Sequence, residues 1–306
     1  MKKLIPIFWL LAVALAPAMA FAAPAREQGL GLPRDVSRDG HRIDWLIDVT
    51  NVFVIILFVI MCVWMVYAVV KHNADHEAEY DHGDSKHHVG VAMGISALIF
   101  FVVDGNLWFN STIDVNTAFW NFEDAEKMPG AVRIEINAHQ WAWDARYAGA
   151  DGKFNTADDV VTLNDIRVPV GVGPDGKIDT ADDVPVLFQI ASTDVIHSFY
   201  LPNFRVKQDA MPGMITRLWI VAKDTGEFDI GCAQHCGIHH YKMKGRLTVM
   251  PVEDYQAWIK AMSAQHARGF DPSDHDGHWG WEWASPGSTQ AAVAGAPRPS
   301  ATVTHD

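Results

Sequence analysis

The chain has 306 residues, of which 49% are hydrophobic and 3 are cysteine, and its formal charge is −13. That length supports one sizeable core plus additional segments, and the acidic balance excludes nucleic acid as a partner. Three cysteines cannot build a disulfide framework, and no C-x-x-C-H string is present for covalent attachment of a c-type haem.

Lys2 and Lys3 precede an apolar run from Leu4 to Ala16, and small-x-small sites follow at Ala18-Met19-Ala20 and Ala20-Phe21-Ala22. This pattern predicts a cleavable secretory leader over residues 1–22. Val52 to Val70 are 19 consecutive uncharged residues, enough to cross roughly 30 Å of hydrocarbon as a helix. Val89 to Phe109 form a second apolar stretch of 21 residues with one charge, Asp104. The two predict a transmembrane hairpin over residues 43–110. Its loop, Lys71 to His88, holds only Lys71 and Lys86 against five acids, whereas Arg26, Arg34, Arg38 and Arg42 precede the first span. A count of positive charges alone would invert the hairpin. An exported N-terminus overrules that count and delivers the C-terminal half to the outer face of the membrane.

Three features of this part have bland readings. Asp104 lies about 22 Å along its helix from Val89 and faces the outer interface or a partner subunit. The loop histidines His72, His76, His82, His87 and His88 alternate with acids, as in a solvated loop. Cys62, alone among apolar residues, reads as an inert thiol.

From Gly130 the period changes. Val132, Ile134 and Ile136 alternate with Arg133, Glu135 and Asn137, which predicts a half-buried strand. Residues 160–170, 184–192, 215–222, 228–231 and 246–250 are further short β-branched or aromatic runs divided by Gly, Pro and Asp, so an all-β antiparallel sandwich or barrel follows. Tyr255, Trp258, Ile259 and Met262 recur at helical spacing. The segment 263–306 is rich first in His, Asp, Gly and Trp, then in Ala, Pro, Ser and Thr, and predicts a flexible tail. Between the strands, residues 151–160 recur at 175–184, making an acidic insertion over 151–183 with eight aspartates against three basic residues. Each copy resembles part of a calcium loop, but Tyr147 and Gly149 in one copy, and Gly171 and Gly173 in the other, stand where acids are needed. Both therefore read as acidic surface turns.

The residues that carry chemistry lie in Cys232-Ala-Gln-His-Cys236-Gly-Ile-His-His240-Tyr-Lys-Met243, immediately after a predicted strand. Thiolates, imidazole and thioether together select copper over hard cations. His197 lies 35 positions before Cys232 and can close the site from a neighbouring strand. Two thiolates exceed what one blue-copper ion needs and suit two ions bridged by both sulfurs. A Cys232–Cys236 disulfide leaves His240 and Met243 without a reason for their spacing. A Cys2His2 zinc site can also be drawn using His235 or His239, although the usual spacing is not met.

These features together resemble cytochrome c oxidase subunit II, over roughly residues 40–262: the exported β-domain behind a two-helix hairpin, the aromatic strand Ala138-His-Gln-Trp-Ala-Trp143, the His197 segment and the C-x3-C-x3-H-x2-M loop. The resemblance implies a cupredoxin-like Greek-key domain over 115–262 holding two copper ions as a dinuclear CuA centre. Its implied ligands are His197, Cys232, the backbone carbonyl of Gln234, Cys236, His240 and Met243. It also implies an electron path from cytochrome c to haem in subunit I, where oxygen is reduced and protons are pumped, in a multi-pass membrane complex with further oxidase subunits. Trp141 is implied as the residue that receives the electron. Strand period places Trp141 and Trp143 on one face, whereas this role needs Trp141 to protrude and Trp143 to pack inward.

The family usually has glutamate at the position of Gln234, reaching a magnesium ion at the subunit I boundary, and a neutral amide is a poorer ligand for that ion. The acid commonly found five residues after the first tryptophan of the aromatic strand is Arg146 here. Two other functions fit less well. Quinol-oxidase-like subunits share the fold without the copper donors. A copper-delivery chaperone also uses C-x3-C and a distant histidine, but behind a single anchor with alternating strands and helices.

Overall fold

A computed structural model describes residues 31–268 except 78–79, 81, 174–175 and 178–181. The predicted leader, the tail beyond residue 268 and much of the second acidic repeat lie outside the described residues. The chain divides into two units, His41–Asn121 and the remainder.

In the first unit, helix α1 (Gly40–Lys71) contains the first apolar run. The second helical segment starts as α2 (Lys86–Ile99), passes through a π-helical stretch at Phe100–Asp104, continues as α3 (Gly105–Asp114) and ends in a second π-helical stretch at Val115–Phe119. Two helices are therefore long and apolar enough to cross a membrane. The second outlasts its apolar run by ten residues, across the domain junction expected near residue 115. In its polar end side chains bond back to carbonyls one turn earlier: Asn110 to Asn106 O at 2.9 Å, Asn116 to Thr112 O at 2.7 Å and Thr117 to Ile113 O at 2.8 Å. Arg42 Nη1, at the start of the first helix, donates to Asp114 Oδ1, near the end of the second, at 3.1 Å. The pair makes the hairpin antiparallel and closes its open end.

In the second unit a short helix, α4 (Phe122–Lys127), leads into two five-stranded sheets. Strands β1 (Val132–His139), β2 (Ala142–Tyr147), β3 (Val160–Leu163), β5 (Val186–Ser192) and β8 (Thr216–Ile220) form one sheet in the order β3-β2-β1-β5-β8. Strands β4 (Asp165–Pro169), β6 (His197–Leu201), β7 (Val206–Ala210), β9 (Gly226–Cys232) and β10 (Lys244–Met250) form the other in the order β4-β10-β9-β6-β7. Pairing is antiparallel except for β1 with β5 and β4 with β10, as in a cupredoxin-like Greek-key sandwich. Helix α5 (Val252–His266) packs Trp258 on Tyr147, with ring centroids 5.2 Å apart. The core takes Ile134, Ile136, Trp143 and Phe188 from the first sheet and Phe199, Ile166, Leu247 and Ile230 from the second, all fully buried.

Two local expectations differ from the structure. The aromatic segment is not one strand, because β1 and β2 pair with His139 opposite Ala142, leaving Gln140 and Trp141 as a tight turn. Strand β1 is also not half-buried, since Glu135 and Asn137 on its polar face are covered as well as Ile134 and Ile136. The cover is the first acidic repeat. Arg146, opposite Glu135 across the ladder, is paired with that buried carboxylate and donates through Nη1 to Asn155 Oδ1 at 2.7 Å, and its Nε lies 3.8 Å from Asp159 Oδ2. A charge pair needs such closure, since a guanidinium out of water is stable only with its donors engaged.

The second repeat acts on a different arginine. Residues before the first helix lie along the second unit: Val36 N donates to Asn203 O at 3.0 Å, Arg38 N to Val221 O at 2.9 Å and Lys223 N to Val36 O at 2.8 Å. The buried Arg38 guanidinium stacks on Trp219 with its carbon 4.8 Å from the ring centroid and lies 3.6 Å from Asp183 Oδ2. Asp183 and Asp159 hold the same position in the two repeats, 24 residues apart. Both repeats thus end in an aspartate set against a buried arginine.

Asp183→Ala should lower the stability of the purified chain by on the order of 2 kcal/mol, because the buried Arg38 keeps Asp39 Oδ2 at 3.0 Å but loses its second carboxylate. Asp224→Ala, which removes the half-exposed pair with Arg34 at 3.6 Å, should cost under about 1 kcal/mol. Thermal and denaturant unfolding of the two variants checks the contrast, and equal losses would deny the clamp its role.

Candidate metal centre

The site lies where β6 starts and β9 ends. These strands pair antiparallel with Phe199 opposite Cys232, so His197, two residues before Phe199, comes beside the cysteine loop. Ala233 N donates to Ser198 O at 3.1 Å and carries the pairing just past the strand. The loop then turns back through Gly237 at φ +116, and a 3-10 turn at His240–Lys242 places Met243 beneath the sulfurs. His240 N donates to Gly237 O at 3.1 Å and Met243 N to His240 O at 3.2 Å.

The expected donors converge there. Cys232 Sγ and Cys236 Sγ are 3.7 Å apart with no disulfide between them. Cys232 Sγ lies 3.1 Å from the carbonyl oxygen of Gln234. His240 Nδ1 is 3.5 Å from Cys236 Sγ, and Met243 Sδ is 3.1 Å from His197 Nδ1 and 3.7 Å from Cys236 Sγ. Donor atoms of His197, Cys232 and Cys236 all lie within 4.8 Å of one another. His197, Cys236 and Met243 are almost wholly buried. His239 instead turns its ring edge-on to Trp141, with centroids 4.5 Å apart. The Gln234 side chain belongs to an exposed residue.

The thiols are electrostatically unequal. Burial pushes the Cys232 thiol up, but hydrogen bonds from His197, Ser198 and Gln234 outweigh it and bring it down to about 6. Burial and the neighbouring Cys232 sulfur both push Cys236 up, to about 12. Cys232 is thus the more readily ionised of the two, and a soft cation binds the deprotonated sulfurs. The set of two thiols, two imidazole Nδ1 atoms, a thioether and a carbonyl fits copper in donor softness and includes no carboxylate.

Sequence reasoning missed the group that orients His197. Asp194 Oδ1 lies 2.9 Å from His197 Nε2, leaving Nδ1 to face the sulfurs. Its other oxygen accepts from Gln140 N at 2.6 Å, so one carboxylate fixes both the imidazole and the β1–β2 turn. Partial burial works against ionisation of Asp194, yet the bonds from His197, Gln140 and Val195 hold its carboxyl below the usual range. Burial lowers His197, and Cys232 and Asp194 more than offset this. The D-x-x-H spacing of Asp194 and His197 was the available signal. Trp141 is half-buried, and its Nε1 donates to Cys236 O at 3.1 Å, alongside Gln140 Nε2 at 2.9 Å. Trp143 is fully buried, 5.3 Å from Phe199 between ring centroids.

Residues 132–249 match the family described as cytochrome c oxidase subunit II, periplasmic domain. The alternative cytochrome c oxidase subunit 2 of Bradyrhizobium diazoefficiens is 29% identical over 246 residues, covering 71% of this chain and 79% of that protein. Cytochrome c oxidase subunit 2 of Alkalihalophilus pseudofirmus is 29% identical over 142 residues, covering 46% of this chain but only 36% of that longer protein. The crystal structure of the periplasmic domain of subunit II of cytochrome oxidase from Bradyrhizobium japonicum aligns with a TM-score of 0.37 at 24% identity, over 45% of this chain and 99% of that domain. Residues 132–249 thus match the periplasmic domain of cytochrome c oxidase subunit II, and over most of its length the chain is similar to cytochrome c oxidase subunit 2 proteins.

Proposed function

We propose that the chain is the electron-accepting subunit of a terminal respiratory oxidase. In this reading it takes electrons from cytochrome c through a dinuclear CuA centre and passes them to haem in subunit I, where oxygen reduction is coupled to proton pumping. The observation that carries it is the pair of sulfurs 3.7 Å apart with a histidine Nδ1 on either side and a buried Met243 below. A tetrahedral zinc ion takes four donors and would leave Met243 Sδ and the Gln234 carbonyl without a part. His197, Cys232, Gln234 through its carbonyl, Cys236, His240 and Met243 are the proposed ligands. Two copper ions held by these donors would supply one-electron exchange. The protein's own contribution is rigidity: Asp194 keeps the His197 ring in one orientation, and the sheet ladder between β6 and β9 keeps His197 at a set distance from Cys232.

Trp141 is the proposed point of electron uptake. Its indole reaches the surface on one side and bonds to the Cys236 carbonyl on the other, so the surface connects to a ligand through a single hydrogen bond. The acidic insertion favours a basic cytochrome c as donor. The neutral, exposed Gln234 side chain supplies no hard anionic oxygen, and no magnesium site forms part of this reading. A quinol-oxidase-like subunit has no use for the six converging donors, and a copper chaperone none for two membrane-length helices.

Cys236→Ser should abolish the dinuclear centre, since one of the two thiol donors is lost. A copper count with optical and EPR spectra decides it, and a variant that keeps two coppers sharing one unpaired electron would overturn the ligand set. Trp141→Ala should slow electron transfer from reduced cytochrome c by orders of magnitude at unchanged copper content and docking affinity. Rapid-mixing kinetics at the wild-type rate would reject Trp141. For topology, both helices are proposed to span the membrane with the β-domain outside and the loop near Asp81 inside. Alkaline phosphatase fused at the C-terminus should be active and fused in that loop inactive, and the reverse pattern would end the proposal.

A further inference from the structure

Trp141 occupies an unusual position for a tryptophan. It sits in a two-residue turn rather than in a strand, so no sheet neighbour brackets it, and its indole is half-exposed. Three contacts from the copper loop hold it. The first is its N–H bond to the Cys236 carbonyl at 3.1 Å. The second is the bare Cα of Gly237, where an added Cβ would come within 3.2 Å of Trp141 Cζ2, 3.4 Å of Nε1 and 2.9 Å of Gln140 Nε2, so only glycine lets the indole lie this close to the backbone. The third is the His239 ring, edge-on at 4.5 Å with planes at 79°.

Of these, only the His239 ring is a side chain able to limit rocking of the indole about its single hydrogen bond. Its own backbone is fixed, because Lys242 N donates to His239 O at 2.8 Å within the turn that also sets His240. Consecutive histidines therefore face different ways, His240 toward the sulfurs and His239 toward the indole. We infer that His239 is a positioning residue, which holds the Trp141 indole in the orientation that receives the electron and ties that orientation to the loop carrying the donors. The functional half of this inference rests on Trp141 being the point of uptake. The structural half does not. An edge-to-face aromatic pair is a real attraction, and an indole free to rock weakens the contact through which the electron would enter.

The test uses the full-length chain in its oxidase complex, labelled with 5-fluorotryptophan and kept reduced, with the fluorine resonance of residue 141 assigned by its loss in Trp141→Phe. His239→Ala should shift or broaden that resonance and increase its response to a soluble paramagnetic agent. Electron uptake from reduced cytochrome c should slow severalfold, with copper content and optical spectrum unchanged. His239→Phe, which keeps a ring edge against the indole, should restore both the resonance and most of the rate. An unmoved resonance in His239→Ala overturns the positioning, as does loss of copper in that variant, which would make His239 a ligand. If His239→Phe restores the resonance but not the rate, the imidazole acts on the donor protein directly and the inference is wrong. Wild-type uptake in Trp141→Phe instead removes the proposed role of Trp141 while leaving the fluorine result to judge whether His239 holds the indole.

Discussion

One carboxylate joins the two sheets at the end where the sulfurs lie. Asp194 receives the Gln140 backbone N–H from the β1–β2 turn on one oxygen and faces His197 Nε2 on the other. The turn belongs to the first sheet and His197 to the second, so this residue sets where the indole of Trp141 stands relative to the imidazole. The bonds that hold Asp194 ionised also keep His197 Nδ1 directed at the thioether and thiol sulfurs. Without such a fixed partner a histidine ring can turn either nitrogen toward a metal, and the site would lose its single geometry.

Around that point, packing serves placement. Cys236 and Met243 are nearly inaccessible, enclosed by the loop itself, by His197 and by the β1–β2 turn. The unequal thiols follow from the same burial. One sulfur is served by hydrogen-bond donors, which favour its thiolate, and the other is enclosed beside it, which favours its thiol.

Among the described residues the acidic repeats add no donor to the site, but they are more than solvated turns. Each supplies an aspartate to an arginine inside the second unit, Asp159 to Arg146 and Asp183 to Arg38. Arg146 and Glu135 form a buried pair across the β1–β2 ladder, which would be costly if open to neither water nor a partner. Arg38 belongs to the strap that leads into the first membrane-length helix. The duplicated insertion thus closes a polar layer in one place and fastens a chain segment in another.

The sequence by itself determined everything governed by short spacing. Nineteen uncharged residues in a row can only be accommodated by a membrane or a large core, and two cysteines, a histidine and a methionine within a 12-residue loop announce a soft-metal site whatever surrounds them. Most strand positions were legible from alternation, but β7 was not, the run 160–170 is two strands in different sheets, Gln140 and Trp141 form a turn, and the polar face of β1 is covered. The tertiary structure alone decided the contacts between distant segments: Gln140 with Asp194, 54 residues apart, and Gln140 with Cys236, 96 apart. It also decided which of His235, His239 and His240 faces the sulfurs. The physical reason is that ligand chemistry is a property of residue types and local spacing. Orientation is a property of partners, and here the partners are brought together only by the register of strands that close the two sheets over one core.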